Sequence, residues 1–138
     1  MISATREDVK LLEFDRIRDA RGNLSFFENY DQIPFSIKRV EYFYDIPGGG
    51  GFTGYACKNQ QEVIIALSGS VDAIVDDGIK RECITLNRSY IGLYLPAGVW
   101  RQIKNFSTNS LILIVSNAFY CEGDYLRNFK DFTGLRNE

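Results

Sequence analysis

Apolar and aromatic residues in this chain fall in short runs, broken by turn-forming residues every ~8–12 positions, the pattern of a β-sandwich or barrel. The runs Leu24–Glu28, Ile37–Tyr44, Phe52–Lys58, Val63–Leu67, Val71–Val75, Glu82–Leu86, Tyr90–Leu95, Val99–Phe106 and Leu111–Ser116 predict strands. Between them, Asp76-Asp77-Gly78, Leu67-Ser68-Gly69-Ser70 and Pro96-Ala97-Gly98 predict tight turns, because Gly and Asp tolerate the positive φ that such turns demand. Only the end of the chain has helical spacing: Tyr125, Phe129 and Phe132 stand at i, i+4 and i+7, predicting a short helix over Tyr125–Phe132 with Gly134 behind it. Pro47 followed by Gly48 to Gly51 reads as a hairpin loop. A nucleotide-binding Gly loop lies between a strand and a helix, and no helix follows here. No repeat, linker or low-complexity tract divides the chain, so residues 1–138 are expected to form one all-β domain.

Composition sharpens this picture. Ten Phe, eight Tyr and one Trp against a single Met suit pleated, half-buried surfaces. A net charge of −2 with scattered Lys and Arg lacks the clustered basic footprint of a nucleic-acid binder. The charged N-terminus MISATREDVKLLEF has no apolar signal core, and no apolar run approaches the ~20 residues of a membrane span, so a cytoplasmic protein is expected. Cys57, Cys83 and Cys121 are too few and too widely spaced for a disulfide framework or a zinc knuckle. The chain contains no histidine, which excludes an imidazole-ligated metal and any Ser-His or Cys-His nucleophile. Acid–base chemistry would have to come from carboxylate, phenol, thiol or amine, with neither metal nor cofactor expected.

Several segments, in order and without evident gaps, carry a resemblance: IPFSIKRV at Ile33 to Val40, VIIALSGS at Val63 to Ser70 followed by VDAIVDDG, IGLYLPAGVW, NFS at Asn105 to Ser107, and DYLRNF. Together they resemble the cupin sugar 3,4-ketoisomerases that act on dTDP-4-keto-6-deoxyglucose. The resemblance implies a cupin jelly roll, a homodimer exchanging an N-terminal strand around Leu24–Glu28, and a place in deoxysugar synthesis for surface polysaccharides. The family moves a ketone from C4 to C3 of the sugar and carries Arg-Gly-x-His-Ala-His on one strand. Here that stretch reads Phe52-Thr53-Gly54-Tyr55-Ala56-Cys57, so Phe52 replaces the arginine, and Tyr55 and Cys57 replace the histidines. Glu41 stands where the preceding strand of the family has tyrosine.

By position, the resemblance makes Tyr55, Cys57 and Glu41 the candidate catalytic residues, and Arg21, Arg39, Phe52, Trp100 and Arg101 the candidate ligand-binding residues. A Tyr of ordinary pKa near 10 is only about 0.1% ionised at pH 7, and a Cys near 8.5 about 3%, so neither replaces a histidine base without tuning. Arginines facing the same cavity would supply that tuning, and Glu41 could itself act as base. The expected function is that of a dTDP-hexose cupin whose ketoisomerase centre is rewired. The alternatives are a non-catalytic module binding a nucleotide sugar or another small molecule, or a partner of a pathway enzyme.

Overall fold

The computed structural model describes residues 4–137. Two antiparallel sheets face each other across one apolar core. The larger has the order β1 (Lys10–Glu13), β9 (Ile91–Leu95), β6 (Glu62–Ser68), β11 (Leu111–Ser116), β4 (Arg39–Phe43). The smaller joins β10 (Trp100–Lys104), β7 (Val71–Asp76) and β8 (Arg81–Leu86). Single bridges Gly51↔Lys104 and Tyr55↔Arg101 extend it along the edge of β10. Beyond that edge, β5 (Ala56–Cys57) pairs with β12 (Tyr125–Leu126). This is the all-β jelly-roll barrel that the resemblance implies. No helix among the described residues is long and apolar enough to cross a membrane.

Alternation explains the core. On β6, Ile64 and Ala66 face the space between the sheets and meet Val71, Ala73 and Val75 of β7 and Ile112 and Ile114 of β11. The other face of β6, through Val63 and Ile65, is also covered, by Phe14, Ile33 and Phe35 from the N-terminal segment. A strand buried on both faces needs no polar alternation, which is why Val63 to Ala66 reads as an unbroken apolar run.

Several boundaries differ from the sequence pattern. The helix is α1 (Phe129–Arg136), which begins later than expected and contains Gly134 instead of ending before it. The Asn128 side chain caps it, accepting from the Lys130 and Asp131 amides at 2.9 and 3.2 Å. Tyr125 and Leu126 pair as strand instead, while Phe132 is fully buried against Trp100. The run Leu24–Glu28 is strand only at β3 (Leu24–Ser25), paired with β2 (Arg16–Ile17). Strands β1 and β2 lie ahead of the first expected run, because sheet-edge pairing overrides weak local patterning.

The segment expected as one strand, Phe52–Lys58, is regular only at β5. The four steps from Gly51 to Tyr55 stand opposite the three steps from Lys104 to Arg101, so one extra residue is inserted between the bridges. This bulge turns both Phe52 and Tyr55 toward the same cavity, which strict alternation would forbid. Gly54 lies in the bulge with the Trp100 indole directly over it: a Cβ there would come within 2.6 Å of the ring nitrogen. Only glycine fits.

Candidate functional site

Three antiparallel strands of the larger sheet place a polar row at one end of the barrel interior. Arg39 on β4 pairs in register with Ser116 on β11, which pairs with Glu62 on β6. Two residues further along, Glu41 stands beside Ile114 and then Ile64, and the interior becomes apolar. Opposite this row, β10 contributes Arg101, and the bulged segment contributes Tyr55.

Glu62 is the hub of the buried part. Its Oε1 accepts from Arg101 Nη1 at 2.6 Å and from the Tyr55 hydroxyl at 2.8 Å. Glu62 and Arg101 have side chains 0% and 1% exposed. Arg101 also donates to the Val99 carbonyl at 2.9 Å and stands 3.8 Å from the Cys57 sulfur. Burial works against its charge, yet its pKa moves upward, with Glu62 beside it. Burial and then the Glu62 carboxylate drive the Tyr55 phenol well above its ordinary value. Burial likewise pushes the Cys57 thiol up to about 12. At neutral pH both groups are therefore protonated.

The cavity adjoining this hub has a volume of about 280 Å³. One wall is apolar, with Phe43, Phe52, Ile103 and Ile114; the other carries Glu41, Tyr55, Tyr120, Tyr125 and Arg127. Phe52 packs on Phe43 with ring centroids 4.6 Å apart, and Tyr55 on Tyr125 at 5.2 Å. Arg39 stands behind the polar wall. Its Nη2 donates to Gln60 Oε1 and to the Tyr125 hydroxyl, both at 2.8 Å, and lies 3.4 Å from Glu41 and 3.7 Å from Glu62. Arg127 donates through Nε and Nη2 to the two carboxylate oxygens of Glu122, at 2.6 and 2.9 Å.

Of the residues singled out from the sequence, Glu41, Phe52 and Tyr55 line this cavity, and Arg39 touches two of its lining residues. Cys57 is fully buried and does not line it. Arg101 is also fully buried, and its guanidinium is bound to protein groups. Trp100 packs on Phe129 and Phe132 at 5.2 and 5.9 Å, outside the cavity lining. Arg21 is 90% exposed on the β2–β3 hairpin and ion-paired with Asp19 at 2.9 Å. The sequence reading missed Glu62, Gln60 and Tyr125. Glu62 carried a signal: alternation places it on the interior face with Ile64 and Ala66, where a carboxylate requires partners.

Comparisons with known proteins agree on the family of this chain. The family described as WxcM-like, C-terminal matches residues 7–137. A TDP-4-oxo-6-deoxy-alpha-D-glucose-3,4-oxoisomerase from Aneurinibacillus thermoaerophilus is 37% identical over 123 residues, covering 89% of this chain and 88% of that protein. The TDP-quinovose 3,4-ketoisomerase of Campylobacter jejuni superposes with a TM-score of 0.89 at 41% identity, over 93% of this chain and 98% of its own. A sugar 3,4-ketoisomerase from Thermoanaerobacterium thermosaccharolyticum, solved in complex with TDP, gives 0.92 at 30% identity, over 96% and 97%.

Proposed function

This chain belongs to the WxcM-like family, and we propose that it binds a dTDP-linked hexose, with the sugar in the cavity between Glu41, Phe52 and Tyr125. The ligand class is supported by the names of its relatives and by the relative that holds TDP. The cavity suits a sugar ring chemically, since an apolar wall faces a few convergent polar groups. Its context would be deoxysugar synthesis in the cytoplasm.

For the chemical step, the observation that carries the reading is the Glu62 hub. The two positions where the resemblance expects histidine hold a phenol bonded to Glu62 and a buried thiol, both pushed away from ionisation. Loss of a general base and of a proton-transfer partner each removes about 10²–10⁴-fold of rate. Calorimetric titration should therefore show saturable dTDP binding. Migration of the ketone from C4 to C3 of dTDP-4-keto-6-deoxyglucose, followed by NMR, should run at least ~10²-fold below a histidine-bearing relative. Absence of any dTDP binding would remove the ligand; ketone migration at the relative's rate would remove the chemical part.

We also propose a homodimer formed through the N-terminal segment. Leu24 and Phe26 are exposed there, as are Val40 and Tyr42 on the outer face of β4. Covering such a face is the usual reason for pairing. Light scattering should report twice the chain mass of 15.8 kDa at micromolar concentration; the chain mass itself would count against the dimer.

A further inference from the structure

We propose that Glu41 and Tyr125 are the proton-transferring pair of this cavity, Glu41 accepting the C3 proton of a bound dTDP-4-keto-hexose and Tyr125 donating to its C4 ketone oxygen. The proposal rests on the keto-sugar reading above and assigns proton transfer to residues outside the Phe52–Cys57 segment. Hydrogen-bond counting carries it. Arg39 Nη2 has two hydrogens, and its 2.8 Å contacts to Gln60 and the Tyr125 hydroxyl use both. Glu41, at 3.4 Å from the same nitrogen, is left with a weak donor and its carboxylate on the cavity wall.

Tyr125 is in the complementary position. Its oxygen accepts from Arg39, and among the described residues its own hydrogen has no acceptor. An O–H whose oxygen already accepts from a guanidinium is a better donor, because the cation stabilises the phenolate left behind. Tyr55, by contrast, has its hydrogen bound to Glu62. One cavity thus presents an unsaturated carboxylate and a free hydroxyl proton, held by one arginine.

In the step, the Glu41 carboxylate removes the proton at C3, and the C–H electron pair becomes the C3=C4 double bond. The carbonyl π pair moves onto the C4 oxygen, which takes the Tyr125 proton and yields the enediol. Tyr125 is left as phenolate beside Arg39. Reversal restores the substrate, and because Glu41 exchanges its proton with solvent, deuterated buffer places deuterium at C3. Burial, reinforced by the Glu62 charge, raises the Glu41 pKa above its ordinary value, which makes it a stronger base. The Tyr125 phenol is pushed up to about 12, chiefly by burial, so its proton is present at neutral pH.

The experiment measures deuterium incorporation at C3 of dTDP-4-keto-6-deoxyglucose by NMR, alongside calorimetric dTDP binding. Native protein should catalyse exchange even where ketone migration is slow. Glu41→Gln should lose about 100-fold of exchange and Tyr125→Phe at least about tenfold, each retaining dTDP binding. Tyr55→Phe should lose less than Tyr125→Phe. Exchange should rise with pH and level off, with a midpoint above the ordinary glutamate range, and Glu41→Asp should keep part of it. No exchange by a protein that binds dTDP overturns the pair. So does exchange that survives Glu41→Gln, or that is lost more in Tyr55→Phe than in Tyr125→Phe. Failure to bind dTDP overturns the ligand reading, and this pair with it.

Discussion

Glu62 on β6 and Glu41 on β4 flank β11 in one barrel interior, yet their surroundings differ. Glu62 is fully buried, with Arg101 and Tyr55 within 2.6–2.8 Å of one oxygen. Glu41 is 43% exposed at its side chain, and its nearest cation among the described residues, Arg39 Nη2, stands 3.4 Å away with short contacts to Gln60 and Tyr125. The difference is one of division of labour. A carboxylate removed from water needs a close counter-charge, as Glu62 has in Arg101 at Oε1 and more distantly in Arg39, 3.7 Å from an Oε2 that has no hydrogen-bond partner among the described residues, and it is then structural. One left on a cavity wall with a poor partner keeps the capacity to exchange a proton.

The comparison is broken most severely at Glu62. Glu62→Ala should lower stability by about 3–5 kcal/mol, because it leaves the Arg101 guanidinium buried without its counter-charge. Urea denaturation would measure it. Replacing both partners, as in Glu62→Leu with Arg101→Met, should recover part of that loss, since no buried charge is left unpaired, although the Tyr55 hydroxyl and the Val99 carbonyl lose their partners. A double variant as unstable as the single one would mean that the pair does more than satisfy itself.

Tyr55→Phe comes next. It removes one donor from Glu62 and keeps the ring that packs on Tyr125, so the expected cost is that of a hydrogen bond to a charged group, about 1.5–3 kcal/mol. A stability loss under 0.5 kcal/mol, within the range of surface substitutions, would show that Arg101 alone satisfies Glu62.

How far the sequence reveals this arrangement differs between scaffold and site. The β-rich pattern, the Asp76-Asp77-Gly78 turn and the strand Leu111–Ser116 follow from period-two alternation and turn chemistry, which are local. β1 and β2 depend on edge pairing with β9 and β3, so local patterning hid them. The helix shifted because Asn128 was not read as a cap, although an Asn before Phe129 is an ordinary start signal. At the site, matching a family motif placed Tyr55 and Glu41 beside the cavity. It could not reveal that Tyr55 gives its hydrogen to Glu62, or that Arg39 bonds Tyr125 across 86 positions of sequence. Those contacts are tertiary.

The smallest effect on stability belongs to Glu41. Burial and the nearby Glu62 charge raise its pKa in the folded state above the unfolded value, so the folded protein holds the Glu41 proton more tightly. The unfolded chain then ionises first as pH rises, and this group's contribution to stability falls from the ordinary carboxylate range up to the raised value, levelling off above it. Glu41→Gln removes that fall. The variant should match the parent within about 0.5 kcal/mol at pH 7, the range of substitutions away from saturated buried groups. Its stability should also decline less than the parent's between the unfolded glutamate pKa and neutrality. Parallel urea titrations of the two proteins from pH 4 to pH 8 would test the sign. If Glu41→Gln were the less stable protein, and increasingly so as pH rose, the Glu41 carboxylate would be well paired in the fold. It would then belong with Glu62, on the structural side of the comparison.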